Sequence, residues 1–207
     1  MNENLGFDPK QWENTEAIEM GEYETLKLGG HEVVIKGAKL YKSEQTENTS
    51  LKVIVDIAGK DEQAGYFQKQ FDEAKKNKKE GEEIKWANSA SKYFSLKEES
   101  LAYTKGFITC LEKSNEGFKF DMKKGWEQLV GLKCAGVFGL EEYEDREFKI
   151  RTVTKLVQMR SLDKLPEIKI PRVKLLDGSY VEYESYKPPK NDSSNDTIEI
   201  SDSDLPF

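Results

Sequence analysis

Histidine occurs once, as His31, and cysteine twice, as Cys110 and Cys134, in a chain of 207 residues. A single histidine excludes any site built on two and makes Ser-His or Cys-His catalysis depend on that one residue. The cysteines stand far apart within apolar patterns, which argues against a disulfide framework or a thiol redox motif and for two reduced core residues. No apolar run approaches the roughly 20 residues that span a bilayer. The N-terminus, Met1-Asn2-Glu3-Asn4-Leu5, lacks the basic and apolar regions of a signal peptide, so a cytoplasmic location is expected. The G-x-x-x-x-G-K-[ST] phosphate loop is also missing, which argues against an ATPase. No cofactor is expected.

What is present is a folded middle between polar ends. Charged residues make up 34% of the chain and aromatics 11%, so the polarity comes from solvated extremities rather than from a missing core. The net charge of −7 is unevenly placed: residues 191–207 hold Asp192, Asp196, Glu199, Asp202 and Asp204 with no Lys or Arg, and removing those five leaves −2 for residues 1–190. A body so near neutrality is able to present a basic groove, because binding follows the local field and not the total.

The hydrophobic periods predict mainly β structure with inserted helices. Residues 1–20 show no period and read as a flexible lead-in, residues 21–186 as one domain, and residues 187–207 as a disordered acidic tail. A first strand over 32–41 follows the turn pair Gly29-Gly30, with Gly37 marking a bulge or bend. A second alternates Leu51, Val53, Val55 and Ile57 on one face against Lys52, Ile54 and Asp56 on the other. The spacing of Phe67, Phe71 and Ala74 predicts a short helix with a lysine-rich far side, ended by Gly81. A longer helix, opened by a Ser95-x-x-Glu98 capping box, would place Leu101, Phe107, Ile108 and Leu111 on the core. Residues 133–140 and 148–156, joined by Glu144-Asp145-Arg146, read as a hairpin with one basic and one apolar face. A short extended pair is expected about Asp177-Gly178.

Basic residues interleaved with aromatics are what a single strand requires, since cations follow phosphates while rings stack unpaired bases. The hairpin supplies Tyr143, Arg146, Lys149, Arg151 and Lys155; the middle of the chain supplies Lys85, Trp86, Lys92, Tyr93 and Phe94, of which Trp86 and Tyr93, flanked by polar residues, are the preferred stacking candidates; the first two strands add Lys36 and Lys52. Phe107, Phe138 and Phe148 are assigned to the core. Glu141, Glu142, Glu144 and Asp145 offer clustered oxygens of the kind that hold a divalent metal in nucleases, but consecutive acids in a turn point in different directions, and a solubilising turn is the preferred reading.

The extreme C-terminus carries apolar residues on a polar tail. Leu205, Pro206 and Phe207, with Asp202, Asp204 and the terminal carboxylate, suit a small apolar pocket rimmed by Lys or Arg on a partner protein.

Two resemblances follow from these motifs. Asp202-Ser203-Asp204-Leu205-Pro206-Phe207 is similar to the C-terminal tip of bacterial single-stranded-DNA-binding proteins. The body resembles a family of phage and prophage single-stranded-DNA-binding proteins of Gram-positive hosts, through Leu28-Gly29-Gly30, Asp56-Ile57-Ala58, Gly65-Tyr66-Phe67, Lys105-Gly106-Phe107-Ile108-Thr109, Gly136-Val137-Phe138-Gly139 and Glu141-Glu142-Tyr143. Phe118-Lys119-Phe120-Asp121 departs from the family pattern, which has a Trp there. The resemblance implies an OB-type β-barrel that coats single-stranded DNA during phage recombination or replication in the host cytoplasm and recruits partner enzymes through its tail. A protein–protein adaptor of such a complex, without DNA affinity of its own, is the alternative. Self-association is left open by the sequence.

Overall fold

Why the middle of the chain folds as it does is clearest in the strand Thr49–Ile57 (β2), where every second residue is apolar. Leu51, Val53, Val55 and Ile57 are all buried, as the alternation predicts, and Lys52 and Ile54 lie on the opposite face. A computed structural model describes residues 25–43, 47–78 and 83–188, together with Glu13 and Gly81. The predicted lead-in apart from Glu13, and the predicted tail beyond Pro188 with Asp202, Asp204, Leu205, Pro206 and Phe207, lie outside these residues.

Strand β1 (Gly29–Lys42) pairs antiparallel with β2, and the register shifts between Ile35 and Gly37, so Lys36 is the extra residue of a bulge. The bend expected at Gly37 is therefore real. On its other edge β1 pairs with β4 (Lys133–Glu144), which forms an antiparallel hairpin with β5 (Ile150–Arg160). Strand β3 (Ser91–Ser95) adds to the free edge of β2. Beyond a 3-10 segment, Leu162–Glu167, the strands β6 (Val173–Lys174) and β7 (Tyr180–Val181) form the small pair expected about Asp177-Gly178. Strand β6 runs parallel to β4 at Glu141, on the edge that β1 leaves beyond Phe138.

The result is a mainly β fold with one seven-stranded sheet in the order β3-β2-β1-β4-β6-β7, β5 being paired to β4. The expectation of a barrel meets a difference here. The outer strands β3 and β5 approach each other, yet among the described residues no ladder joins them. Instead the Lys92 ammonium crosses the seam and donates to the Val157 carbonyl at 2.7 Å. A side chain does the joining.

Among the described residues two α-helices cover the sheet. Helix α1 (Tyr66–Lys76) starts where the buried Asp56 carboxylate accepts the Phe67 amide at 3.0 Å, and it buries Phe67. Lys75 and Lys76 in its last turn suit the negative end of the helix dipole. Helix α2 (Leu101–Ser114) buries Thr104, Phe107 and Leu111, with Phe94 of β3 stacked on Phe107 at 4.3 Å between centroids. Its end is pinned by Asn115, whose side chain donates to the carbonyls of Leu111 and Lys133 and accepts the Lys133 amide.

Two local expectations are corrected. Ser95 opens no capping box: it closes β3 opposite Ser50, the helix begins after the 3-10 turn Glu98–Ser100, and Leu101 is exposed. Strand pairing outcompetes the cap because Phe94, one residue earlier, is drawn onto the core. Phe148 is no core residue either. It belongs to the turn between β4 and β5, and 82% of its surface is exposed.

Close backbone contact brings the C-terminal segment onto the sheet. At Gly139 of β4 an added Cβ would stand 2.5 Å from the Pro171 ring, and at Gly30 it would stand 2.9 Å from Leu165. Only glycine lets residues 165–171 lie this near, and they carry Arg172 and Lys174 into position.

Candidate nucleic-acid interface

The hairpin cations are largely matched to acids. Arg151 Nε donates to Asp145 Oδ2 at 2.8 Å, Lys149 pairs with Glu147 at 2.9 Å and Lys155 with Glu141 at 2.8 Å. Tyr143 stands opposite Arg151 and is partly exposed. Arg146 is exposed and has no ion pair among the described residues. Partly exposed pairs of this kind hold cations in place at a cost of about 0–1 kcal/mol to break, so they position the charges without locking them away.

The other predicted residues divide in two. Lys52 and Tyr93 face each other across β2 and β3, with the Lys52 ammonium 5.3 Å from the Tyr93 ring and Tyr41 edge-on to that ring at 5.3 Å. This is an exposed lysine–tyrosine patch on the sheet's outer face, with Lys39 opposite Lys52 and Lys36 exposed in the bulge. Trp86, by contrast, is half-buried against the core: its indole N–H donates to the Val55 carbonyl at 3.0 Å and its ring lies 5.3 Å from Phe71.

A larger feature was not foreseen. Along β5 run three adjoining concavities of about 650, 390 and 360 Å³, all lined by Gln158. The first, between β3, β5 and α2, shares Lys92 and Val157 with the second, and the second shares Pro171 and Arg172 with the third. They adjoin through these shared residues, and the set is called the trough below.

Its charged lining is mostly positive: Lys92, Arg160, Lys169, Arg172 and Lys174, against Glu141 and Glu167. Both acids are already engaged, Glu141 by Lys155 and Glu167 by Lys164 at 3.3 Å. Burial pushes the Lys92 ammonium below the usual lysine range; Glu141 opposes that shift, and Lys155 and Lys174 add to it. An anion arriving beside Lys92 would therefore relieve a crowded set of cations. Three tyrosines line the same trough, Tyr93, Tyr103 and Tyr180, and the Arg172 guanidinium stands 5.4 Å over the Tyr180 ring.

Of the predicted residues, Tyr93 lines the trough and Lys155 touches it through Glu141. Lys92 and Phe94 of the same middle segment line it as well, whereas Arg160, Lys169, Arg172, Lys174, Tyr103 and Tyr180 were missed. One signal was readable: Arg172 and Lys174 flank the fully buried Val173, a period-2 pattern in a stretch otherwise dominated by proline and turns.

The acidic run of the hairpin does not converge on one point. Glu141 faces Lys155, Glu142 takes the Leu176 amide and the Tyr186 hydroxyl, and Asp145 takes the turn amides and Arg151. Among the described residues no group of three His, Cys, Asp or Glu is placed to hold a metal ion, and no helix is long and apolar enough to cross a membrane. Cys110 and Cys134 are both free thiols, and burial pushes the Cys134 thiol up. A separate apolar groove of about 500 Å³ lies on the far side of α2, between Leu101, Ile108, Phe120, Met122 and Trp126.

No model of a known protein family matches the chain, and no curated protein matches it as a relative.

Proposed function

We propose that the protein binds single-stranded DNA without enzymatic activity, laying the strand along the trough over the β3–β5 seam. The observation that carries this reading is that five cations and three tyrosines line three concavities that adjoin along β5. Cations neutralise phosphates, and tyrosine rings offer stacking surfaces that tolerate any base, at about 1–3 kcal/mol per stacked base. The strand order β3-β2-β1-β4-β5 with its ends brought near supports an OB-type barrel left open at one seam, a fold that commonly holds oligonucleotides on one face. The tip Asp204-Leu205-Pro206-Phe207 recruits recombination or replication enzymes to the coated strand, in the cytoplasm of a phage-infected bacterium.

Fluorescence anisotropy with a labelled oligonucleotide tests it. Affinity should fall steeply between about 50 and 200 mM salt, because each phosphate contact releases counterions. Removal of residues 191–207 should tighten binding at low salt and abolish partner capture. Salt-independent or absent binding overturns the proposal and favours the adaptor reading, for which the apolar groove beside α2, with Leu101 and Met122 exposed, provides a docking surface.

A further inference from the structure

The turn between β4 and β5 holds a bulky aromatic residue out in solvent by means that cost stability twice. Phe148 exposes 82% of its surface, and its φ of 58° lies in the left-handed region that disfavours any side chain larger than glycine's. A turn selected only to connect two strands would place Asn or Gly at this position.

The strain is held by a dense set of bonds on Asp145. Its Oδ1 accepts the amides of Glu147 at 2.8 Å and Lys149 at 3.0 Å, and its Oδ2 accepts Arg151 Nε at 2.8 Å. The backbone adds Phe148 N–H to the Asp145 carbonyl at 3.1 Å and Asp145 N–H to the Lys149 carbonyl at 2.9 Å. Residues 145–149 are thus a preorganised turn that displays the ring. Arg146, without an ion pair, and Lys149, paired only to Glu147, flank it with positive charge.

Stored strain of this kind is retained where the displayed group meets a ligand. The hairpin continues from the Glu141 end of the trough, so a strand leaving the trough there passes along Tyr143 toward the turn. We infer that Phe148 is a base-stacking residue that captures a nucleobase beyond the trough, with Arg146 and Lys149 taking the neighbouring phosphates. This rests on the single-strand-binding reading above.

The test compares Phe148→Ala, Phe148→Gly and Phe148→Trp with the unaltered protein by anisotropy on an all-thymine oligonucleotide and on one with abasic positions. Glycine adopts the φ of 58° without strain, so Phe148→Gly should melt no lower than the unaltered protein. Any loss of binding is then not a loss of fold.

Removing the ring should weaken binding roughly five- to hundredfold on intact bases, with the salt dependence unchanged because no charge is lost. Phe148→Trp should retain affinity, and on abasic DNA all four proteins should bind alike. Unaltered affinity of Phe148→Gly alongside normal binding by the parent protein overturns this inference alone; absence of binding by the parent overturns both.

Discussion

The Tyr186 hydroxyl donates to Glu142 Oε1 at 2.9 Å, while the other oxygen of the same carboxylate accepts the Leu176 amide at 3.0 Å. One side chain of β4 thereby ties down both sides of the β6–β7 pair, which carries Lys174 and Tyr180 into the trough. Burial, and then the bond to Glu142, push the Tyr186 hydroxyl up to about 12. Its folded value lies above the unfolded one, near 10, so the stabilisation is complete below about pH 10 and lost as pH rises through 12. An ultraviolet phenolate titration should show one late-titrating tyrosine, absent in Tyr186→Phe. Glu142→Ala should weaken oligonucleotide binding several-fold although Glu142 lines no part of the trough.

Arg172 and Lys174 flank a buried valine and bond to no acid among the described residues, so they are free to meet phosphates. Arg172→Ala with Lys174→Ala should cut affinity about tenfold and flatten the logarithmic salt dependence by roughly 0.7 per lost contact. The melting temperature should scarcely change. A steep salt dependence that survives the double substitution would place the strand elsewhere.

At the hairpin turn, the Arg151 guanidinium first, and the amides of Lys149 and Glu147 with it, hold the Asp145 carboxyl below the usual aspartate range. A depressed folded value means that the turn keeps its bonds above the unfolded value of about 3.9 and loses them only as pH falls through the lower, folded one. Amide chemical shifts of residues 145–149 should therefore hold steady on acidification well into the range where ordinary aspartates titrate. Asp145→Ala should disorder the turn at neutral pH.

His31 is buried, with Nδ1 3.0 Å from Asp61 Oδ2 and Nε2 2.9 Å from the Lys27 carbonyl, and its ring meets Phe138 edge-on. It serves as a brace between β1, the segment before it and the turn before α1. His31→Ala removes the ring's contacts with Asp61, Lys27 and Phe138 and opens a cavity, which should cost about 2–3 kcal/mol in denaturant unfolding. Oligonucleotide affinity of the folded fraction should stay unchanged, since His31 lines no part of the trough.

The frame of the fold was legible because its strands obey simple periods. Leu51 to Ile57 alternate without interruption, Gly37 marked the bulge, Glu144-Asp145-Arg146 marked the hairpin, and Phe67, Phe71 and Ala74 marked a helix that runs over Tyr66–Lys76. Strand β3 escaped notice because Ser91–Ser95 is five residues long and abuts a helical pattern. Ser95 and Glu98 had the spacing of a cap, and only the pairing of Ser95 with Ser50, far off in sequence, decides against it. Phe148 looked apolar and so looked buried; the turn geometry that turns it outward depends on Asp145 and Arg151 together. The site was half legible for the same reason. Cations on the hairpin could be read from alternation, whereas the trough is assembled from β3, β5 and residues 168–174, which no local pattern joins.

Among the described residues one side-chain hydrogen bond crosses the seam. Lys92 is its only described clasp, and a phosphate that draws off the ammonium leaves the Val157 carbonyl to the solvent. If the strand lies in the trough as proposed, engaging Lys92 and releasing the seam are one event, and a covalent staple between β3 and β5 would separate them.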